Sequence, residues 1–193
     1  MSKLKIIFKL IQIFFTLSMV FTMANADECK NFSTSDLLKL NQEIVSAIKI
    51  KKYLNAKNSA ALTICILENL NSDEKFNYEN YYHDAHQLLG LIAFMDNDIE
   101  LASKELLKSI REEKKDSILS SYGPRGELAR LLISKGLKKY VIEYLRLAIS
   151  ISFFKEGENS RGQMECCLNS LKKDGKCIIL EKDPDNWINF CSK

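Results

Sequence analysis

The sequence contains only two prolines, Pro124 and Pro184, in 193 residues. Proline removes a backbone donor and breaks helices, so its scarcity leaves long segments free to be helical. In those segments apolar residues recur at intervals of three, four and seven, the period of an amphipathic helix. The sequence therefore predicts an all-α protein.

Motifs that carry enzyme chemistry are also missing. The chain has no Gly-rich phosphate loop, no Gly-x-Ser-x-Gly and no His-Glu-x-x-His. Those motifs supply the phosphate cradle, the activated nucleophile and the zinc ligands of three large enzyme classes. We therefore expect a protein without catalytic activity and without a cofactor.

One alternative comes from the only two histidines, in the segment His83-Asp84-Ala85-His86. Residues three apart on a helix share a face, and two imidazoles with one carboxylate could ligate zinc. The alternative function is therefore a small metal-dependent hydrolase using His83, Asp84 and His86. A third histidine to complete such a site is missing from the chain.

Residues 1–26 have the three parts of a secretory signal peptide. The basic start carries Lys3, Lys5 and Lys9, an apolar segment follows over 10–23, and Ala24-Asn25-Ala26 offers a small-x-small cleavage pattern. A transmembrane anchor is the competing interpretation, but the apolar segment is shorter than the roughly 20 residues of a spanning helix. We expect cleavage, a periplasmic or secreted protein, and no stable membrane anchor afterwards.

Charge in residues 27–193 is balanced, with 25 basic and 25 acidic side chains. A nucleic-acid-binding domain would have a clear basic excess or a basic stripe. Acidic and basic residues instead alternate closely, which is typical of solvated helical faces. We therefore expect no nucleic-acid partner.

All six cysteines lie in the part predicted to be exported, where disulfides form. Cys166 and Cys167 are adjacent on a predicted helix, so their side chains point about 100° apart and are poorly placed to bond each other. This predicts at least one bridge from that pair to Cys177 or Cys191. Cys65 lies in an apolar run and is predicted to be an unpaired core residue.

The apolar spacing predicts six helices in three hairpins, followed by a C-terminal helix and an extended, cysteine-rich tail held by Trp187. The first helix begins near Asp36, capped by Ser33 or Ser35, and Asp98 caps the fourth. Gly136 supplies a left-handed residue at the end of the fifth. The first helix is interrupted at 55–58, the second to fourth run over about 57–70, 78–95 and 99–114, the fifth follows the Gly123-Pro124 turn and ends at Lys135, and the sixth runs over about 137–154.

Small residues recur inside these helices at a fixed spacing. In the second hairpin the positions are Leu89, Gly90, Ala93, Ala102, Leu106 and Ser109. In the third they are Leu128, Ala129, Leu132, Val141, Leu145 and Ala148, and a weaker first copy runs through Ala47, Ile48, Lys51, Ala60, Ile64 and Leu67. Residues 36–153 therefore resemble the tetratricopeptide-repeat family.

The resemblance implies a stack of helical hairpins in which small residues let two helices cross closely. The copies are spaced 39 to 42 residues apart, compared with about 34 in the family. His86 also stands where the family usually has Trp. We divide the chain into a signal peptide, 1–26, a tetratricopeptide-like repeat domain, 27–155, and a capping helix with its tail, 156–193.

The densest aromatic patch surrounds the start of the third helix, and we predict that Tyr78, Tyr81, Tyr82 and His83 contact a partner. Tyrosine holds peptides by stacking and hydrogen bonding at low entropic cost. The alternative is that two of these rings pack inside the protein. The leading hypothesis is an exported helical-repeat protein that binds another protein or peptide as a scaffold, adaptor or inhibitor.

Overall fold

The computed structural model describes residues 29, 32–71, 74–75, 78–110, 125–151, 159–173 and 177. Regular structure within them is entirely helical, which confirms the predicted all-α class. Seven α-helices and a short 3-10 helix occur there: α1 Thr34–Lys49, the 3-10 helix Tyr53–Ala56, α2 Lys57–Asn69, α3 Glu79–Met95, α4 Ile99–Lys108, α5 Glu127–Ser134, α6 Lys138–Ile151 and α7 Asn159–Lys173.

Each of these α-helices packs against the next one along the chain. None of them has both the length and the hydropathy needed to cross a membrane. The predicted signal peptide, the Gly123-Pro124 turn, Trp187 and Cys191 lie outside the described residues.

Local polar contacts fix two of the predicted helix starts. Ser33 precedes α1, and its backbone N–H donates to Oδ2 of Asp36 over 2.9 Å. Asp98 precedes α4, and its Oδ1 accepts from the backbone N–H of Leu101 over 3.0 Å. Both carboxylates satisfy amides that have no partner within the helix. At its other end α4 stops at Lys108, earlier than the predicted end near residue 114.

The three hairpin turns share one backbone geometry. Each contains one residue with positive φ, Lys51 at 56°, Asn97 at 60° and Gly136 at 79°. In each turn the backbone N–H of this residue donates to the carbonyl oxygen three positions before it. The backbone N–H of the following residue donates to the carbonyl oxygen five positions before itself. This is the Schellman motif, which satisfies the last carbonyls of a helix. The described part of the chain therefore repeats one helix ending three times.

These turns correct the predicted register of the first repeat. Because Lys51 is equivalent to Asn97, Ala47 and not Lys51 corresponds to Ala93. The shift arises because the 3-10 helix Tyr53–Ala56 adds 4 residues between the turn and α2. The second-helix positions agree with the prediction, since the fourth residue of each second helix is fully buried: Ala60, Ala102 and Val141.

Gly90 lies where three helices meet. A Cβ added to it would lie 2.2 Å from Cδ2 of Leu128 on α5 and 3.2 Å from Cβ of Glu105 on α4. Leu128 is itself completely buried, so its side chain has little freedom to move away. The small residue therefore allows close approach within its own hairpin, as predicted, and also to the next hairpin.

Two hydrophobic clusters form the interior. The larger one runs from α1 to α7 and includes Ile44, Leu88, Leu106, Leu145 and Met164. The smaller one lies where α1, α2 and α3 meet and consists of Cys29, Leu37, Ile66, Leu67 and Tyr82.

Disulfides fasten both ends of the described chain. Cys29 pairs with Cys65 of α2, with their Cα atoms 6.0 Å apart. The prediction that Cys65 is an unpaired core residue is wrong, because Cys29, 36 positions earlier, returns to α2 at the smaller cluster. Cys167 of α7 pairs with Cys177, one of the bridges that the sequence predicted, and Cys166 is also disulfide-bonded.

Candidate functional site

The predicted histidine segment lies inside the molecule, on the first half of α3. His83, Asp84, His86 and Gln87 are all buried, although all four are polar. Buried polar groups require hydrogen-bond partners. Their partners come from α4, from α6 and from Arg125, just before α5.

His83 connects the end of α4 to the residue just before α5. Its Nδ1 lies 3.0 Å from the carbonyl oxygen of Ser109, just after α4, and its Nε2 lies 2.9 Å from the backbone nitrogen of Arg125. The backbone N–H of Arg125 can only donate, so Nε2 accepts and Nδ1 carries the proton. Burial lowers the pKa of His83 to about 4, against the opposing attraction of Asp84. The ring is therefore neutral at pH 7.

Arg125 is held through its side chain and its backbone. Its Nε donates to Oδ1 of Asp84 over 2.6 Å. Its carbonyl oxygen accepts from the hydroxyl of Tyr144 on α6, also over 2.6 Å. Burial raises the pKa of Tyr144 well above its usual value, so the hydroxyl keeps the proton that it donates. Together with His83, these contacts satisfy both backbone polar groups of Arg125.

His86 and Glu105 form a second buried pair, between α3 and α4. Nδ1 of His86 lies 2.5 Å from Oε2 of Glu105. Burial opposes ionisation of Glu105, but hydrogen bonds and positive charge from His86 and Lys108 outweigh it, so the pKa of Glu105 lies below its ordinary value. Nε2 of His86 is buried and has no hydrogen-bond partner among the described residues.

This arrangement connects helices and does not offer an open reaction site. Both ring nitrogens of His83 are occupied by backbone groups, and Asp84 is occupied by Arg125. Across the residues that the structure describes, no group of three or more His, Cys, Asp and Glu side chains is placed to hold a metal ion. The geometry therefore gives no support to the hydrolase alternative.

The predicted partner-binding residues divide into two pairs. Tyr82 and His83 are buried, and the Tyr82 ring meets the edge of His86 at a centroid distance of 4.2 Å. Tyr78 and Tyr81 are half-buried, with ring centroids 5.6 Å apart, and pack on the smaller cluster. We call Tyr78 and Tyr81 the tyrosine surface. Its two rings are the aromatic side chains of the predicted set that remain accessible.

The partners of the histidines were not predicted from the sequence. Glu105 had a detectable signal, because it shares the spacing of three, four and seven with Ala102, Leu106 and Ser109 and so falls on the buried face of α4. Arg125 had none, since it pairs with Asp84 across 41 positions.

Comparison with known proteins assigns no family to the chain. No protein-family model matches the chain, and neither a curated protein nor a solved structure matches it.

Proposed function

We propose that this protein is an exported, tetratricopeptide-like helical-repeat protein that binds another protein or a peptide and has no catalytic role of its own. The observation that carries the proposal is the tyrosine surface, two half-buried rings in tilted contact at the start of α3. Rings held in this way lose little conformational entropy when a ligand covers them.

The hydrophobic cluster on which the tyrosine surface packs also favours a binding function. Tyr78 and Tyr81 pack on the cluster that contains Cys29, and the Cys29–Cys65 bridge covalently fastens that cluster to α2. A rigid, preorganised surface lowers the cost of binding. Phe32, whose backbone N–H donates to the carbonyl oxygen of Cys29, is a further exposed aromatic residue in this part of the chain.

Three further observations support export and a binding role. Two disulfide pairs are typical of an oxidising compartment such as the periplasm or the exterior of the cell. The recurrent helix ending and the recurrent buried small residues favour a repeat architecture. Stacked helical repeats present extended surfaces to partners. The scaffold, adaptor and inhibitor roles all fit these observations.

The test is quantitative capture with a matched control. Wild type, the Tyr78→Ala/Tyr81→Ala variant and Tyr140→Ala, a half-buried tyrosine on α6, are immobilised and exposed to an extract of the exported fraction. A protein enriched by both wild type and Tyr140→Ala is then purified and titrated directly against all three proteins. A variant that melts at the wild-type temperature and still binds that protein equally well would overturn the proposed surface.

A further inference from the structure

The hairpin turns expose large apolar side chains. Ile50 is 57% exposed, Leu54 is 67% exposed and Met95 is 65% exposed. Ile50 and Leu54 flank the first turn, and Met95 ends α3 at the second. Single exposed apolar residues are common on proteins, so their meaning depends on whether they lie together and on what surrounds them.

Packing around α3 brings the three turns together. The 3-10 helix, which carries Leu54, packs against α1, α2 and α3. Nζ of Lys135, in the third turn, lies 5.9 Å from the ring centroid of Phe94, the residue before Met95. We call the residues around the three turns, 49–58, 95–104 and 134–140, the turn end. The tyrosine surface lies at the opposite end of α3, which spans Glu79–Met95.

The turn end is basic although the predicted mature chain is neutral. Residues 49–58, 95–104 and 134–140 contain eight lysines and three carboxylates. Two of the carboxylates already have partners, because Glu100 pairs with Lys104 over 2.8 Å and Asp98 caps α4. Six of these lysines are exposed, namely Lys49, Lys51, Lys52, Lys104, Lys135 and Lys139, and Lys104 is the one paired with Glu100.

We propose that the turn end binds the surface of an anionic lipid bilayer. Basic side chains are attracted to anionic headgroups, and apolar side chains between them enter the boundary between headgroups and acyl chains. An acidic protein would supply the same charge, but a stable protein interface needs a large patch, whereas the turn end exposes only three large apolar side chains, two at the first turn and one at the second. The three Schellman turns hold the backbone that presents them.

Vesicle sedimentation tests this proposal. The whole chain is expressed in a host that exports it, and mass spectrometry identifies the N-terminus of the purified protein. Vesicles of phosphatidylcholine with 30% phosphatidylglycerol are compared with pure phosphatidylcholine. The apolar variant is Ile50→Ser/Leu54→Ser/Met95→Ser, and its control is Leu38→Ser, an exposed leucine of α1. The charge variant is Lys51→Asn/Lys52→Gln/Lys135→Gln, and its control is Lys39→Gln/Lys75→Gln/Arg146→Gln.

The proposal predicts binding to the anionic vesicles only, weakening as salt rises. Removing three lysines is expected to reduce partitioning about 100-fold, and the apolar variant is expected to reduce it at least as strongly, while both controls bind like wild type. Three results would overturn the proposal: no binding to anionic vesicles, equal binding to neutral ones, or binding that survives both turn-end variants. Wild-type self-association abolished by the apolar variant would also overturn it, by assigning the surface to a second copy of the chain.

Discussion

The first half of α3 buries His83, Asp84, His86 and Gln87, whereas the second half buries Leu88, Leu91 and Ile92. The side chains of the apolar half belong to the larger hydrophobic cluster. The polar half faces the end of α4 and the residue before α5, where backbone groups lack helical partners. The buried polarity at His83 therefore follows two neighbouring helix ends, whereas His86 pairs with Glu105 inside α4.

The largest expected effect comes from breaking the buried pair of the polar half. Glu105→Ala leaves Nδ1 of His86 buried without its acceptor, so we expect the free energy of unfolding to fall by about 4 kcal/mol. Glu100→Ala, which removes an exposed carboxylate paired with Lys104, should change it by less than about 0.5 kcal/mol. Urea unfolding followed by circular dichroism measures both, and equal losses would contradict the assignment.

The polar half should also make stability depend on pH. The pKa of His83 is lowered to about 4 from 6.5. Between these two pH values the imidazole of His83 is therefore protonated in the unfolded chain but neutral in the folded protein. Stability is complete above pH 6.5 and falls as the pH approaches 4, by about 3 kcal/mol.

Unfolding measured at intervals between pH 7.5 and 4.5 checks this slope. His83→Gln, although less stable at pH 7, should show a clearly shallower slope because the titrating ring is gone. An unchanged slope would assign the pH dependence to other groups.

In the apolar half the sensitive position is Gly90. Alanine favours the helix by about 1 kcal/mol, but its Cβ would overlap the buried side chain of Leu128. We expect a net loss of about 2 kcal/mol from overpacking. Gly136→Ala, whose Cβ meets nothing within 4 Å but whose φ is +79°, should lose only about 1 kcal/mol. Thermal unfolding compares the two, and a more stable Gly90→Ala protein would show that the three-helix junction is loose.

The smallest expected effect is that of Tyr144→Phe. The change removes the hydroxyl that donates to the carbonyl oxygen of Arg125 and keeps the ring. We expect a loss of about 1 kcal/mol. Tyr140→Phe on the same helix serves as the control and should be neutral. If both variants unfold alike, the hydroxyl contributes nothing to the join between α5 and α6.

Features decided by one or a few neighbouring residues could be predicted from the sequence. Asp98 is a helix cap, Gly136 has positive φ and Gly90 lies at a helix crossing, because each follows from side-chain size or from local hydrogen bonding. The all-helical class follows from apolar spacing in the same way.

Features that depend on where distant segments return could not be predicted. The Cys29–Cys65 bridge spans 36 positions, and nothing local to Cys65 shows which residue approaches it. The burial of His83 depends on Ser109 and Arg125 meeting at one point. The break between α1 and α2 was visible, but the 4 residues of the 3-10 helix and their effect on register were not.

The Cys29–Cys65 bridge has a mechanical consequence. A force that pulls the chain at residue 29 passes through the bridge directly to α2, because the covalent bond provides the shorter path. α1 and the first turn then bear no tension. The bridge joins residues 36 positions apart and so keeps a contour length of about 120 Å out of the extended chain. That length becomes available for extension only when a reductant opens the bond.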